Sequence, residues 1–243
     1  MVERARRVAP ATAVTAGAYD PDVGVSELRD EHEVTDPPFR LDRPTPPAVP
    51  RRPLYGLDIE TDTTVDGLDP DRSSIVAVAV SGDGVDEVIT GDESEVIAGV
   101  DRLLASLPDG VLITWNGTRF DLPFLATRAR RAGVPIGLRL GPPPPRGARR
   151  RRATSWHGHR HLDGLDLYRA DVGRLLGLSC ALKSLARLVG EPPVEVDRAR
   201  IHELDAAELR EYVLSDARLA RSLVLRRWPT AASWVDPLPG RGD

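Results

Sequence analysis

Leu54-Tyr55-Gly56-Leu57-Asp58-Ile59-Glu60-Thr61 is the stretch on which the fold turns. Side chains alternate along a strand. With Leu54 to Glu60 extended, Leu57 and Ile59 therefore face one side and Asp58 and Glu60 the other, roughly 6.5–7 Å apart. Two acids on one face of so apolar a strand fit either a solvated edge or a site that needs them. Downstream, Ser74 to Ser81 reads as a second strand through Ile75, Val76, Val78 and Val80, and Asp86 to Thr90 as a third. Gly82-Asp83-Gly84 joins the last two as a hairpin.

An amphipathic helix is expected over Ser94 to Leu107, with Val96, Ile97, Val100, Leu103 and Leu104 on its apolar stripe. Val111 to Trp115 suits a buried parallel strand, and a helix follows from about Leu122 to Ala132. A fifth short strand is expected near His159 to Leu167, then helices over Ala181 to Val189 and Ala206 to Arg226. Three strands in a meander, then alternating helices and strands, predict an α/β fold: a mixed five-stranded sheet with helices on both faces. Residues 1–52, rich in Pro, Asp, Arg and Glu, read as a disordered arm able to meet a protein partner. The folded domain is expected over 53–235, interrupted by a basic Pro/Arg-rich insertion at about 139–157, with 236–243 as a tail.

Composition narrows the function classes. The apolar fraction of 41% supports a real core, and no apolar run approaches the roughly 18 residues of a membrane span. Cys180 is the only cysteine, so no intrachain disulfide forms and a reducing cytoplasm is the expected compartment. The net charge of −4 conceals an uneven distribution. From Leu122 to Leu162 there are ten arginines and no Asp or Glu, a balance that points to a polyanion. The tetrad Arg149, Arg150, Arg151 and Arg152, beside Pro142 to Pro145, reads equally as a phosphate-contacting surface or a solvated loop.

Three segments carry acids where acids are costly. Asp58 and Glu60 share a strand face. Asp121 follows a parallel strand at Asn116-Gly117-Thr118-Arg119-Phe120, where ligands of open α/β sheets collect, although an Asp there also caps helices. On the last helix Leu209, Tyr212, Val213, Asp216, Ala220 and Leu223 recur at three- and four-residue spacing, so Tyr212 and Asp216 lie on the core-facing stripe. A carboxylate there calls for a cation or several hydrogen-bond donors, a partner arginine being the plainer alternative. His157, His159 and His161 repeat at the spacing of one strand face, which transition metals sometimes use; no fourth ligand accompanies them. Trp228 and Trp234 read as packing groups.

In order and spacing, the three acidic segments resemble the exonuclease motifs of the DEDD superfamily of 3′–5′ exonucleases, the DnaQ-like group with an RNase H-like fold. Asp58 and Glu60 match the first motif, Asn116 with Phe120 and Asp121 the second, and Tyr212 with Asp216 the third. Tyr212 points to the tyrosine subtype, seen in proofreading domains of family B DNA polymerases and in stand-alone relatives; the histidine subtype would place its histidine where Glu211 stands. Leu178 to Leu185 is similar to the family's stretch before the third motif. The long insertion and the lack of a polymerase domain are departures.

The resemblance implies hydrolysis of terminal phosphodiesters of single-stranded DNA ends with two divalent ions, Mg²⁺ or Mn²⁺. Asp58 would bridge both ions, Glu60 and Asp216 would complete the first site, and Asp121 would serve the second. Tyr212 would orient the attacking water. Phenols ionise near pH ~10 and make poor bases at neutral pH. The resemblance also makes Lys183 a phosphate contact, Thr61 and Phe124 contacts to the terminal nucleotide, and Asp166, in preference to Asp163, a supporting acid. An exoribonuclease and a catalytically weak nucleic-acid-binding module of the same fold remain alternatives, because phosphate chemistry is blind to the 2′-hydroxyl.

Overall fold

The computed structural model describes residues 49–142 and 153–235. Of the expected arm only 49–52 fall within that range, and the heart of the insertion, with Arg149 to Arg152, and the tail at 236–243 lie outside it. The sheet opens with β1 (Leu54–Thr61), β2 (Ile75–Gly82) and β3 (Val85–Thr90), antiparallel in sequence order. Helix α1 (Glu93–Ser106) follows, its first turn capped by Asp92 accepting from the Ser94 amide. Then come β4 (Val111–Thr114), α2 (Asp121–Ala132), β5 (Leu138–Leu140), β6 (Thr154–Trp156) and β7 (His159–Asp163). The chain ends in short helices α3 (Gly164–Tyr168), α4 (Arg174–Leu176) and α5 (Leu182–Leu188), the long α6 (Ala206–Arg226) and α7 (Trp228–Val235). A π-turn (Arg169–Gly173) links α3 to α4, and a 3₁₀ segment (Arg198–Glu203) precedes α6. No helix among the described residues is long and apolar enough to cross a membrane.

Seven strands pair in the order β3-β2-β1-β4-β7-β6-β5, with β1, β4 and β7 parallel. The expected sheet was mixed but five-stranded. The two additional strands, β5 and β6, hold three residues each and lie at the two ends of the expected 139–157 insertion, too short for a period of two to register. Strand β7 also stops at Asp163, where the chain turns into α3, rather than continuing to Leu167. The sheet is mixed, as expected, with apolar clusters on both faces.

Alternation on β1 divides the interior in two. Tyr55, Leu57 and Ile59 pack with Val96, Ile97 and Val100 of α1 and Leu122 and Leu125 of α2. On the opposite face, Leu54 joins Ala220, Leu223 and Val224 of α6 and Trp228 of α7. Trp234 packs against that second cluster. Helix α6 begins with a capping box, in which Asp205 accepts from the Ala207 and Glu208 amides and the Glu208 carboxylate accepts from the Asp205 amide.

Gly56 faces α6, and a Cβ there would stand 2.0 Å from the backbone oxygen of Ala217. Backbone cannot give way as a flexible side chain can, so helix and strand must separate to admit even a methyl group. Gly56→Ala is expected to destabilise the protein by ~1–3 kcal/mol, the usual cost of overpacking, read as a lower urea midpoint at unchanged slope. A midpoint equal to that of the parent would show that α6 yields freely.

Candidate active site

The carboxyl ends of β1, β4 and β7 lie side by side. Gly56 pairs with Ile113, and Thr114 with Asp163, so the chain beyond these points emerges on one edge of the sheet. There an open cleft of about 690 Å³ is lined by Asp58, Glu60 and Thr61 from β1, Asn116, Phe120 and Asp121 from the turn after β4, and Asp216 from α6. Segments far apart in sequence thus bring all four expected acids to one wall. Asp58 and Glu60 are half-buried, whereas Asp121 and Asp216 are 4% and 3% exposed. Tyr212, one turn before Asp216 on the inward stripe of α6, is fully buried.

Asp121 is the first residue of α2 and does not cap it. The capping position is Phe120, which makes no side-chain cap bond. Burial pushes the Asp121 carboxyl up to about 7, with the Asp163 charge adding to that and amide hydrogen bonds from its own main chain and from Ile59 acting against it. Lys183 Nζ stands 3.7 Å from Asp216 Oδ1 and 4.2 Å from the centre of the Tyr212 ring, and donates to the Val194 carbonyl at 2.7 Å.

The remaining sequence candidates separate. The Thr61 hydroxyl donates to the Gly67 carbonyl at 2.6 Å, tying down the loop after β1. Asn116 has φ 73°, a left-handed conformation that asparagine tolerates better than most residues. Phe120 lies against Phe124 with ring centres 5.3 Å apart, but Phe124 is 2% exposed and belongs to the core under α1 and α2.

Of the two acids near α3, Asp166 is partly exposed and paired with Arg119 at 2.8 Å. Asp163 is buried and holds the turn before Asp121: Oδ1 accepts from the Asn116 and Leu165 amides and Oδ2 from the Thr118 amide, each at 3.0 Å. Sequence reasoning preferred Asp166. The strand's true end, which sets which acid turns inward, was not visible in the residues.

The three histidines have three unrelated tasks. His157, in a turn with φ 49°, bonds Asp101. His159 accepts from the Gly110 amide at Nδ1 and donates from Nε2 to the Leu104 carbonyl. His161 Nε2 meets the buried Thr114 hydroxyl at 2.8 Å. Desolvation lowers the His161 pKa from 6.5 to about 4, against the raising pull of Asp163 and Asp166.

Between those two values the unfolded chain carries the proton and the folded chain does not. Stability is therefore lost as pH falls from 6.5 towards 4. His161→Gln is expected to shrink the stability difference between pH ~7 and pH ~4.5 by ~1–3 kcal/mol in urea titrations. Parallel pH profiles for the two proteins would assign acid sensitivity to other groups.

Among the described residues no three His, Cys, Asp or Glu side chains are gathered tightly enough to cage an ion as they stand. The chemistry of the cleft nevertheless fits divalent cations. Its donors are carboxylate oxygens, the preference of Mg²⁺ and Mn²⁺. Burial raises the Asp121 pKa, so a positive charge beside it would favour its ionised form.

Residues 56–214 match the RNase H superfamily. A DNA polymerase of Archaeoglobus fulgidus is 28% identical over 90 residues, covering 37% of this chain and 12% of that protein. The family B DNA polymerase of Pyrobaculum calidifontis superposes with a TM-score of 0.62 at 25% identity, over 78% of this chain and 26% of that one. The chain thus spans about an eighth to a quarter of the polymerases it matches.

Proposed function

The chain belongs to the RNase H superfamily, and from that premise we propose that it is a 3′–5′ exonuclease of the DEDD tyrosine subtype, acting on single-stranded DNA ends. Membership of the superfamily, with the likeness to archaeal DNA polymerases, supports nuclease-type activity; polarity, strandedness and sugar are the finer reading. The observation that carries it is the meeting of Asp58, Glu60, Asp121 and Asp216 in one cleft at the carboxyl ends of the parallel strands.

RNase H-like nucleases generally use divalent metals. Asp58, Glu60, Asp121 and Asp216 would hold Mg²⁺ or Mn²⁺ here, supplying positive charge to the attacking and leaving oxygens of the phosphoryl group. The residues do the rest. Asn116, fixed in its turn by Asp163, and Phe120 face the terminal nucleotide. Tyr212, on the helical face of Asp216, offers its hydroxyl to the attacking water. Lys183, beside both, offsets the negative charge of Asp216. The Arg149 to Arg152 tetrad, which follows β5 and precedes β6 in sequence, would add affinity for the strand without sequence preference. Cys180, the only cysteine, is buried, and the setting proposed for the protein is the cytoplasm.

The experiment is a time course on 5′-labelled single-stranded DNA and RNA of one sequence, with Mg²⁺, Mn²⁺ or EDTA. Shortening of DNA from the 3′ end with either metal, and none in EDTA, is the expected result. Internal cuts, preference for RNA, or activity in EDTA would each displace this reading.

A further inference from the structure

The cleft that should receive a polyanion is walled by four carboxylates, and a bound strand must be held there by positive charge of the protein's own. Arg169 is the one cationic side chain among the described residues that line it. It is exposed, and it forms no ion pair or side-chain hydrogen bond among the described residues. The acids nearest it in sequence are already committed: Asp166 to Arg119, and Asp171 to Arg227. The guanidiniums of Arg119 and Arg227 are spent on those acids, and that of Arg169 faces the cleft.

The backbone that presents Arg169 is unusual as well. Its amide donates to the Leu165 and Asp166 carbonyls at the end of α3, and the π-turn Arg169–Gly173 then carries the chain along the rim. Single π-turns often mark functional positions, because the wider turn re-aims side chains. A guanidinium offers several donors in a planar fork suited to phosphate oxygens.

Resting on the nuclease reading above, we infer that Arg169 binds a backbone phosphate of the substrate strand other than the one being cleaved. The scissile phosphate belongs to the carboxylates and the cations they attract. A phosphate further along the strand has no such partner in this acidic cleft, and Arg169 supplies it. Arg169 therefore acts in binding and register and leaves the chemical step alone.

The test combines one substitution with a chemical scan of the substrate. Single-stranded oligodeoxynucleotides carry one neutral methylphosphonate at successive non-scissile linkages, and kcat/KM in Mg²⁺ is measured for the parent and for Arg169→Ala. For the parent, one linkage is expected to cost about tenfold, the value of a charge-assisted hydrogen bond. Arg169→Ala should lose about the same factor on the unmodified strand, entirely in KM, and be indifferent to that linkage. Its dependence of log kcat/KM on log salt should be shallower by ~0.7, one phosphate contact on a single strand. Arg169→Lys should recover part of the affinity.

Equal methylphosphonate penalties in parent and variant, or a loss confined to kcat, overturn the role of Arg169 while leaving the nuclease reading intact. A parent protein that cuts no unmodified strand overturns that reading, and this inference with it.

Discussion

Asp58→Ala and Asp216→Ala are each expected to remove nearly all hydrolysis, and the double variant to be little worse than either. The acids form one wall of the cleft, and groups that act as a unit lose their function together. If each is needed to hold the cations, a single loss forfeits several kcal/mol of charge stabilisation, a factor of roughly 10³ or more in rate. Asp216 is 3% exposed with Lys183 Nζ 3.7 Å away, so Asp216→Ala leaves a largely buried ammonium without that acid. The metal-free melting temperature of that variant should hold or fall, while the stabilisation that Mg²⁺ or Mn²⁺ gives the parent should shrink. Losses that simply add on a logarithmic scale would mean that β1 and α6 serve separate sites.

Tyr212→Phe is the second large effect expected: turnover falling ~10²-fold, the usual loss when one oriented hydrogen-bonding group is removed from a reaction centre. The ring is fully buried, with Lys183 Nζ 4.2 Å from its centre, so phenylalanine keeps the packing and the cation–π contact and deletes only the hydroxyl. Melting temperature and metal-induced stabilisation should stay with the parent. Unchanged turnover would take Tyr212 out of the mechanism and leave it a core residue.

Legibility in the sequence followed the length and regularity of each element. Helix α6 has the expected bounds, since 21 residues hold its apolar period long enough to be unmistakable. Strands β1 to β3 and helix α1 fall within a residue of expectation, their hairpin and alternation being local properties. What escaped depends on contacts made elsewhere. β5 and β6 exist only as partners of each other and of β7. The run His161-Leu162-Asp163-Gly164-Leu165-Asp166 reads as one strand until Asp163 is seen capping α3.

The same holds for single side chains. Phe124 stands close to Asp121 in sequence but points into the apolar layer, because α2 lays that face on the sheet. Arg169 is one basic residue among 33. What distinguishes it is its place in the lining of the cleft, and the meeting of distant segments leaves no mark on a string of letters.

Gly56 has a consequence beyond the energy of folding. The acids of β1 and the acid of α6 sit on two bodies that touch backbone to backbone, one residue from Asp216. No side chain there can swell, rotate or wear into a different shape, so the separation of the two halves works as a gauge block, machined by the absence of an atom. Position 56 never meets a phosphate, yet it sets the tolerance to which the site is built.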